Sequence, residues 1–258
     1  MQELIKGDCL EYMATMADES VDIIVTDPPY LMDYKTGRRN GKADKYDANQ
    51  ENVTHKFATV IDGDNDPELI SNYIKECYRI MKNDTAMYMF CNSNKAAYFI
   101  NELEKLFTMR NIIIWVKNNH TAGDLVHAFG KKHEFIILVN KGNAKIRGTR
   151  IQDVWAYDKV VGKAQLHQNQ KPVPLLERCI EKHSDEGDVV FDGFGGSGST
   201  GIAARALKRD YIIIEKDEEY YNAAVKRFAE KENMLDFDTY KNQDNNNKKQ
   251  DNNNDKKQ

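Results

Sequence analysis

Val21-Asp22-Ile23-Ile24-Val25-Thr26 is a nearly unbroken apolar run, the pattern of a strand covered on both faces. Comparable short runs predict further strands over residues 2–5, 86–90, 111–116, 134–139, 189–191 and 211–214. Between them the period lengthens. Leu69, Ile70, Tyr73, Ile74, Cys77, Tyr78 and Met81 recur at helical spacing after Asp66-Pro67. Helices are also expected over 9–16, 95–107, 172–183, 199–207 and 217–231, with Pro172 tolerated in a first turn and Asp217 as a cap. Strands alternating with helices predict an α/β fold: a doubly wound, mainly parallel, Rossmann-like sheet. The runs at 111–116 and 134–139 are expected to pair as an antiparallel hairpin.

The polar stretches complete the organisation. Residues 31–65 read as a long loop, uncommon in a compact domain unless it has a task. From 242 onward the Asn/Lys/Gln/Asp tract has no apolar surface to bury and is expected to be disordered. One domain over 1–232 is predicted, with a catalytic half 1–139, a candidate recognition insertion 140–168 and a cofactor half 169–232; residues 233–258 form a polar tail.

Hydrophobic content of 40% over 258 residues supports a real core, and no stretch approaches a membrane span of about 20 apolar residues. The first residues carry no charged-then-apolar leader. Cys9, Cys77, Cys91 and Cys179 lie far apart with no C-x-x-C pair and read as reduced thiols, not a disulfide framework or zinc site. His120, His127 and His133 lack metal-ligand spacing within one helix, so no metal is expected. A net charge of −4 argues against a protein that coats nucleic acid indiscriminately. Its distribution is uneven: residues 117–171 hold ten Lys/Arg against four Asp/Glu, and residues 35–45 hold five against one. Lys35, Arg38, Arg39, Arg147 and Arg150 are therefore candidate phosphate or base contacts.

Two motifs carry the chemistry. Asp27-Pro28-Pro29-Tyr30 follows the buried run directly. Its prolines remove two backbone donors and hold the turn extended, leaving a carboxylate, free carbonyls and an aromatic face. Such a site suits a planar base bearing an exocyclic amine. The aromatic amine is a weak nucleophile, and acceptors at Asp27 and the Pro28 carbonyl would localise its lone pair and stabilise developing positive charge. The second motif is Phe191-Asp192-Gly193-Phe194-Gly195-Gly196-Ser197-Gly198-Ser199-Thr200, a glycine-rich turn between strand and helix. Its glycines are expected to let the backbone approach a ligand. Glu215 ends the following strand, where a carboxylate can accept ribose hydroxyls. Gly193, Gly195 and Gly198 also satisfy G-x-G-x-x-G, so a nicotinamide-dependent oxidoreductase stands as an alternative. Against it, only the 189–191 and 211–214 strands remain at and beyond the motif, too few for a dinucleotide domain downstream, and Asp192 suits the ammonium of a methionine moiety better than a pyrophosphate.

Together the two motifs resemble those of the amino-group DNA methyltransferases, in the order of their β class. The resemblance extends through Gly7-Asp8-Cys9-Leu10, residues 76–82, His133-Glu134 and Gln170-Lys171-Pro172, and covers about residues 2–230. It implies S-adenosylmethionine as cofactor, double-stranded DNA as substrate and a target base flipped out of the helix. It implies catalytic roles for Asp27, Pro28, Pro29 and Tyr30. Cofactor contacts carry over to Asp8, Cys9, Phe191, Asp192, Gly193, Phe194, Gly195, Gly196 and Glu215. Ser197, Thr200 and Lys171 are further candidates near the methionine end. The family's His-Pro-Thr-Gln-Lys-Pro stretch reads His167-Gln168-Asn169-Gln170-Lys171-Pro172 here, a departure that bears on His167 and Gln168. Asp at the head of the tetrapeptide points to adenine, with cytosine N4 methylation and a catalytically silent DNA-binding protein as alternatives. A homodimer, a cognate restriction endonuclease and a cytoplasmic bacterial or phage setting are the further expectations.

Overall fold

The computed structural model describes residues 1–31, 65–120, 126–161, 165–166 and 170–230. Eight strands form one sheet: β1 (Gln2–Lys6), β2 (Val21–Thr26), β3 (Met81–Cys91), β4 (Thr108–Val116), β5 (His133–Lys141), β6 (Val154–Ala156), β7 (Val189–Asp192) and β8 (Asp210–Glu215). Their order is β1-β8-β7-β2-β3-β5-β4-β6. Only β5 is antiparallel to its neighbours, so the expected fold and hairpin are both present.

Helices cover both faces. On one lie α1 (Cys9–Met13), α2 (Pro67–Ile80) and α3 (Ala96–Leu103), whose Met13, Tyr73, Ile74 and Phe99 pack on Val21, Ile24 and Met89. On the other lie α4 (Val173–His183), α5 (Ser199–Ala206) and α6 (218–230), where Leu176, Ile180, Ile202 and Phe228 pack on Ile23, Val25 and Ile213. The alternation of Ile23 and Val25 with Ile24 explains why β2 reads as a continuous apolar run: both of its faces are core.

The boundaries depart from the pattern where side chains do not report pairing. β3 starts five residues earlier than its apolar run, because Met81 pairs with Val21 and Thr85 with Lys141, while the polar Lys82 to Asp84 form an irregularity between them that the hydrophobic pattern does not report. β6 is a three-residue strand inside a stretch with no clear period. Trp155 anchors it at 4% exposure, with its indole N–H donating to the Gln152 carbonyl at 2.7 Å.

Because seven strands run the same way, the ends of β1, β2, β3, β4, β6, β7 and β8 and the start of β5 share one edge of the sheet. The segments 27–66, 117–132 and 157–170 all leave and rejoin the fold there. Strand β2 has β3 on one side and β7 on the other, which makes its end the topological switch point where ligands bind in such sheets.

Candidate active site

A cleft of about 480 Å³ opens at that switch point. It is lined by Asp27 to Tyr30 from the end of β2, Asp192 to Ser197 after β7, Asp8 and Cys9 after β1, Glu215 at the end of β8, and Lys171 ahead of α4. Segments nearly two hundred positions apart in sequence thus converge on one cavity, as the two-motif reading requires.

At its acceptor end, Asp27 is 19% exposed and its carboxylate is bonded on both oxygens. Tyr30 Oη donates to Oδ1, and Lys171 Nζ lies 2.6 Å from Oδ2. Burial pushes the Asp27 pKa up, and Lys171 opposes that shift. Pro28 and Pro29 are buried, and Leu31 turns the chain with φ of 55°, a left-handed conformation costing a non-glycine residue roughly 1–2 kcal/mol. Lys171 is also held 3.2 Å from Glu134 Oε2, while Glu134 Oε1 accepts from Lys117.

The glycine-rich turn is organised by Asp192, 2% exposed. Its Oδ1 accepts from Thr26 Oγ1 at 3.0 Å and the Phe194 N–H at 3.1 Å, and its Oδ2 accepts from Thr200 Oγ1 at 2.7 Å. Since Thr26 spends its proton on Asp192, the 2.9 Å contact between Tyr73 Oη and Thr26 has tyrosine as donor. Tyr73 Oη in turn accepts the Gly193 N–H at 3.2 Å. This relay ties the ends of β2 and β7 together and so fixes one motif against the other. Burial pushes the Asp192 carboxyl up to about 6 despite its three donors.

Gly193 and Gly195, which line the cleft, also answer to the packing behind them. A Cβ on Gly193 would lie 2.5 Å from Tyr73 Cε2, and one on Gly195 would lie 2.3 Å from Ile213 Cγ2. Protein packed behind the turn excludes side chains there, so the glycine pattern reports the fit of the turn against α2 and β8.

Phe191 is wholly buried in the core beneath the cleft and does not line it, because its strand face points at α2. Lys171 belongs to the Asp27 end of the cleft, not to the glycine turn, since it salt-bridges Asp27 and Glu134. Asp8 lines the cleft but also caps α1, accepting from the Leu10 N–H at 2.9 Å. Glu215 accepts from the Gly196 N–H at 2.6 Å and the Asp217 N–H at 2.7 Å, so the turn itself orients its carboxylate. Ser197 meets Arg227 at 3.3 Å through its hydroxyl. Cys9 lines the cleft as a thiol pushed up to about 12 by burial and by Asp8, and the other three cysteines are buried.

Two basic candidates are displaced from expectation. Arg147 pairs with Asp185 at 2.7 Å and its N–H bonds the Lys182 carbonyl, beyond the C-terminal end of α4 and at the opposite edge of the sheet. Arg150 follows on the same segment, before β6 carries the chain back to the cleft edge. The first half of the 140–168 insertion therefore faces away from the site. Lys35, Arg38, Arg39, His167 and Gln168 lie outside the described residues, as does the 233–258 tail. Glu134 and Lys117 were not singled out for a site role, because nothing local in a strand pattern marks a carboxylate that pairs with a lysine 37 positions away (Glu134 to Lys171).

The cleft fits a ligand that is cationic and rich in hydroxyl donors. Asp8, Asp192 and Glu215 line its walls, and Phe194 and Tyr220 add aromatic surface. A pyrophosphate would meet those carboxylates as a repelling wall. A doubly wound sheet with this cleft at its switch point defines an S-adenosylmethionine-dependent methyltransferase. The chain belongs to the N6_N4_Mtase family, described as DNA methylase, whose profile matches residues 21–226. It is 32% identical over 255 residues to the type II methyltransferase M.HinfI of Haemophilus influenzae, covering 89% of this chain and 69% of that one. The crystal structure of the M1.HpyAVI–SAM complex superposes with a TM-score of 0.63 at 25% identity, covering 88% of this chain and 99% of the other. PvuII DNA methyltransferase, cytosine-N4-specific, shares the fold with a TM-score of 0.67 at 16% identity, covering 86% of this chain and 84% of its own. The protein is a DNA amino-methyltransferase using S-adenosylmethionine, and the oxidoreductase alternative falls.

Proposed function

We propose that the amine methylated is N6 of adenine, presented by a nucleotide flipped out of duplex DNA. The observation that carries this reading is Asp27 at the end of β2, facing the same cleft as the glycine turn with Tyr30 beside it. The tetrapeptide headed by Asp, as in the adenine enzymes the sequence resembles, favours adenine over cytosine.

S-adenosylmethionine supplies an electrophilic methyl group on a sulfonium centre. Asp192 would hold its ammonium and Glu215 its ribose hydroxyls, while Phe194 and Tyr220 would flank its flat ring. At the other end, Asp27 keeps an unused lone pair on each oxygen beside the bonds from Tyr30 and Lys171. One N–H of the amine goes to Asp27 and the other to the Pro28 carbonyl. Both acceptors lie where positive charge grows on nitrogen, which is where preorganised electrostatics lowers a barrier most. Extrusion of the base costs a few kcal/mol, and stacking on Tyr30 returns roughly 1–3 kcal/mol.

The segments 27–66, 117–132 and 157–170 begin and end at the cleft edge, and we assign the DNA-facing side to that edge. Phe129, fully exposed in the second of them, and the neighbouring Lys131 and Lys132 suit contact with an opened duplex. We assign the recognition element within 140–168 to residues beyond β6, since Arg147 pairs at the opposite edge of the sheet. A homodimer, a cognate restriction endonuclease and action in the cytoplasm of a bacterium or phage-infected cell complete the reading. No helix among the described residues is long and apolar enough to cross a membrane.

Nucleoside analysis of DNA from a methylation-deficient host expressing the protein tests the central point. N6-methyladenine is expected; N4-methylcytosine in its place would overturn the assignment.

A further inference from the structure

Lys171 Nζ is the hub of a buried chain of alternating charge. It lies 2.6 Å from Asp27 Oδ2, 3.1 Å from Tyr30 Oη and 3.2 Å from Glu134 Oε2. Glu134 Oε1 is taken by Lys117, so the order runs Lys117, Glu134, Lys171, Asp27. Side-chain exposures along it are 10%, 18%, 6% and 19%. Four separate parts of the chain contribute: the ends of β4 and β2, the start of β5 and the segment before α4. Phe90 and Trp115 close the space around Lys171, with ring centroids 5.0 Å and 6.0 Å from Nζ.

The proposed chemistry uses Asp27 as an acceptor and leaves this arrangement unexplained. An ammonium bonded to Asp27 favours the ionised carboxylate, against the burial that pushes its pKa up. The same ammonium lies close to the nitrogen that becomes positive during transfer, and it opposes that charge. Inside a protein, one uncompensated unit charge at about 5 Å is worth roughly 10²-fold in rate. Something must cancel it while leaving the lysine in place. Glu134 is the second anion in contact with Lys171, and Lys117 anchors it from behind.

We propose that Glu134 is a positioning residue for methyl transfer: it holds Lys171 in its bond to Asp27 and cancels the lysine's charge beside the reacting amine. The inference rests on the reading of Asp27 as amine acceptor. The groups that face Asp27 are Lys171, Tyr30 and Glu134, with Asp192 and Cys91 next in range and Lys117 behind Glu134. The Glu134 charge also opposes Asp27 ionisation, so its removal with Lys171 still seated on Asp27, as an isosteric amide allows, shifts the acid limb of the rate profile to lower pH.

The test is tritiated-methyl transfer by the full-length protein to unmethylated genomic DNA across pH, with S-adenosylmethionine binding measured separately by calorimetry. Glu134→Gln keeps the shape and removes the charge. It should lower kcat about 10- to 100-fold, move the acid limb to lower pH and leave cofactor affinity within about threefold. Turnover within threefold of wild type, or a loss matched by an equal loss of cofactor affinity, would overturn the proposal. Glu134→Asp retains the charge and covers the case in which the glutamine variant fails to fold. It should stay within about tenfold of wild type with its acid limb unmoved; a displaced limb or a loss as large as that of Asp27→Ala counts against the role. Asp27→Ala run alongside separates the two ideas, since full activity there would sink the acceptor reading itself.

Discussion

Asp27 and Asp192 lie at the ends of neighbouring strands of one sheet, one partly and one fully buried, and they are satisfied in opposite ways. Asp27 is met by a lysine ammonium and a tyrosine hydroxyl, inside a chain of four alternating charges. Asp192 is met by two hydroxyls and a backbone N–H, with no lysine or arginine bonded to it among the described residues. Burial raises both pKa values, but a fixed cation restrains only the first. On the reading proposed above, the first carboxylate accepts a neutral N–H and the second receives a cationic ligand. One strand spacing separates the two.

That contrast can be broken most directly at Asp27. Asp27→Ala should lower methyl transfer by about 10²-fold or more while cofactor binding changes little; comparable losses of both would show that the two carboxylates share one task. At Asp192 the order reverses. Asp192→Asn should weaken S-adenosylmethionine binding by about 10- to 100-fold in calorimetry, in line with roughly 1.5–3 kcal/mol for a charge-assisted bond.

A third prediction concerns pH. The folded-state value of about 6 for Asp192 lies above its ordinary 3.8, so the folded protein holds a proton there that the unfolded chain releases. Its contribution to stability is therefore greatest below pH 4 and falls by roughly 3 kcal/mol as pH rises to about 6. In cofactor-free denaturation curves, Asp192→Asn should flatten that part of the profile; an unchanged slope would assign it elsewhere. The smallest effect is expected at the tie between the sites. Thr26→Val strips Asp192 of one donor and Tyr73 of its acceptor, and should cost about 1–3 kcal/mol of stability. No measurable change would mean that the relay does not couple the two strands.

Much of this is legible in the sequence. The apolar run at 21–26 is buried on both faces because β2 is central, and a motif following such a strand sits at the ligand edge by topology alone. The alternation of strand and helix placed the second motif at the same edge. Three things were not legible, each for a physical reason. Glu134 opens β5, and because β5 runs against its neighbours, a strand start lies where strand ends were expected. The glycines read as room for a ligand, whereas Tyr73 and Ile213 occupy the space behind them. Arg147 looked like a phosphate contact by local charge density, yet the turn after β5 sends it to the far edge to pair with Asp185.

The three long segments that spring from a single rim have a bearing on how such a protein diversifies. Among the described residues, none of them carries a strand of the central layer. Their lengths and sequences can therefore be exchanged while the registry beneath stays as it is. On the proposed reading, target preference is a property of these rim segments and the chemistry a property of the frame. A lineage of this architecture can acquire a new recognition word without re-solving its folding problem.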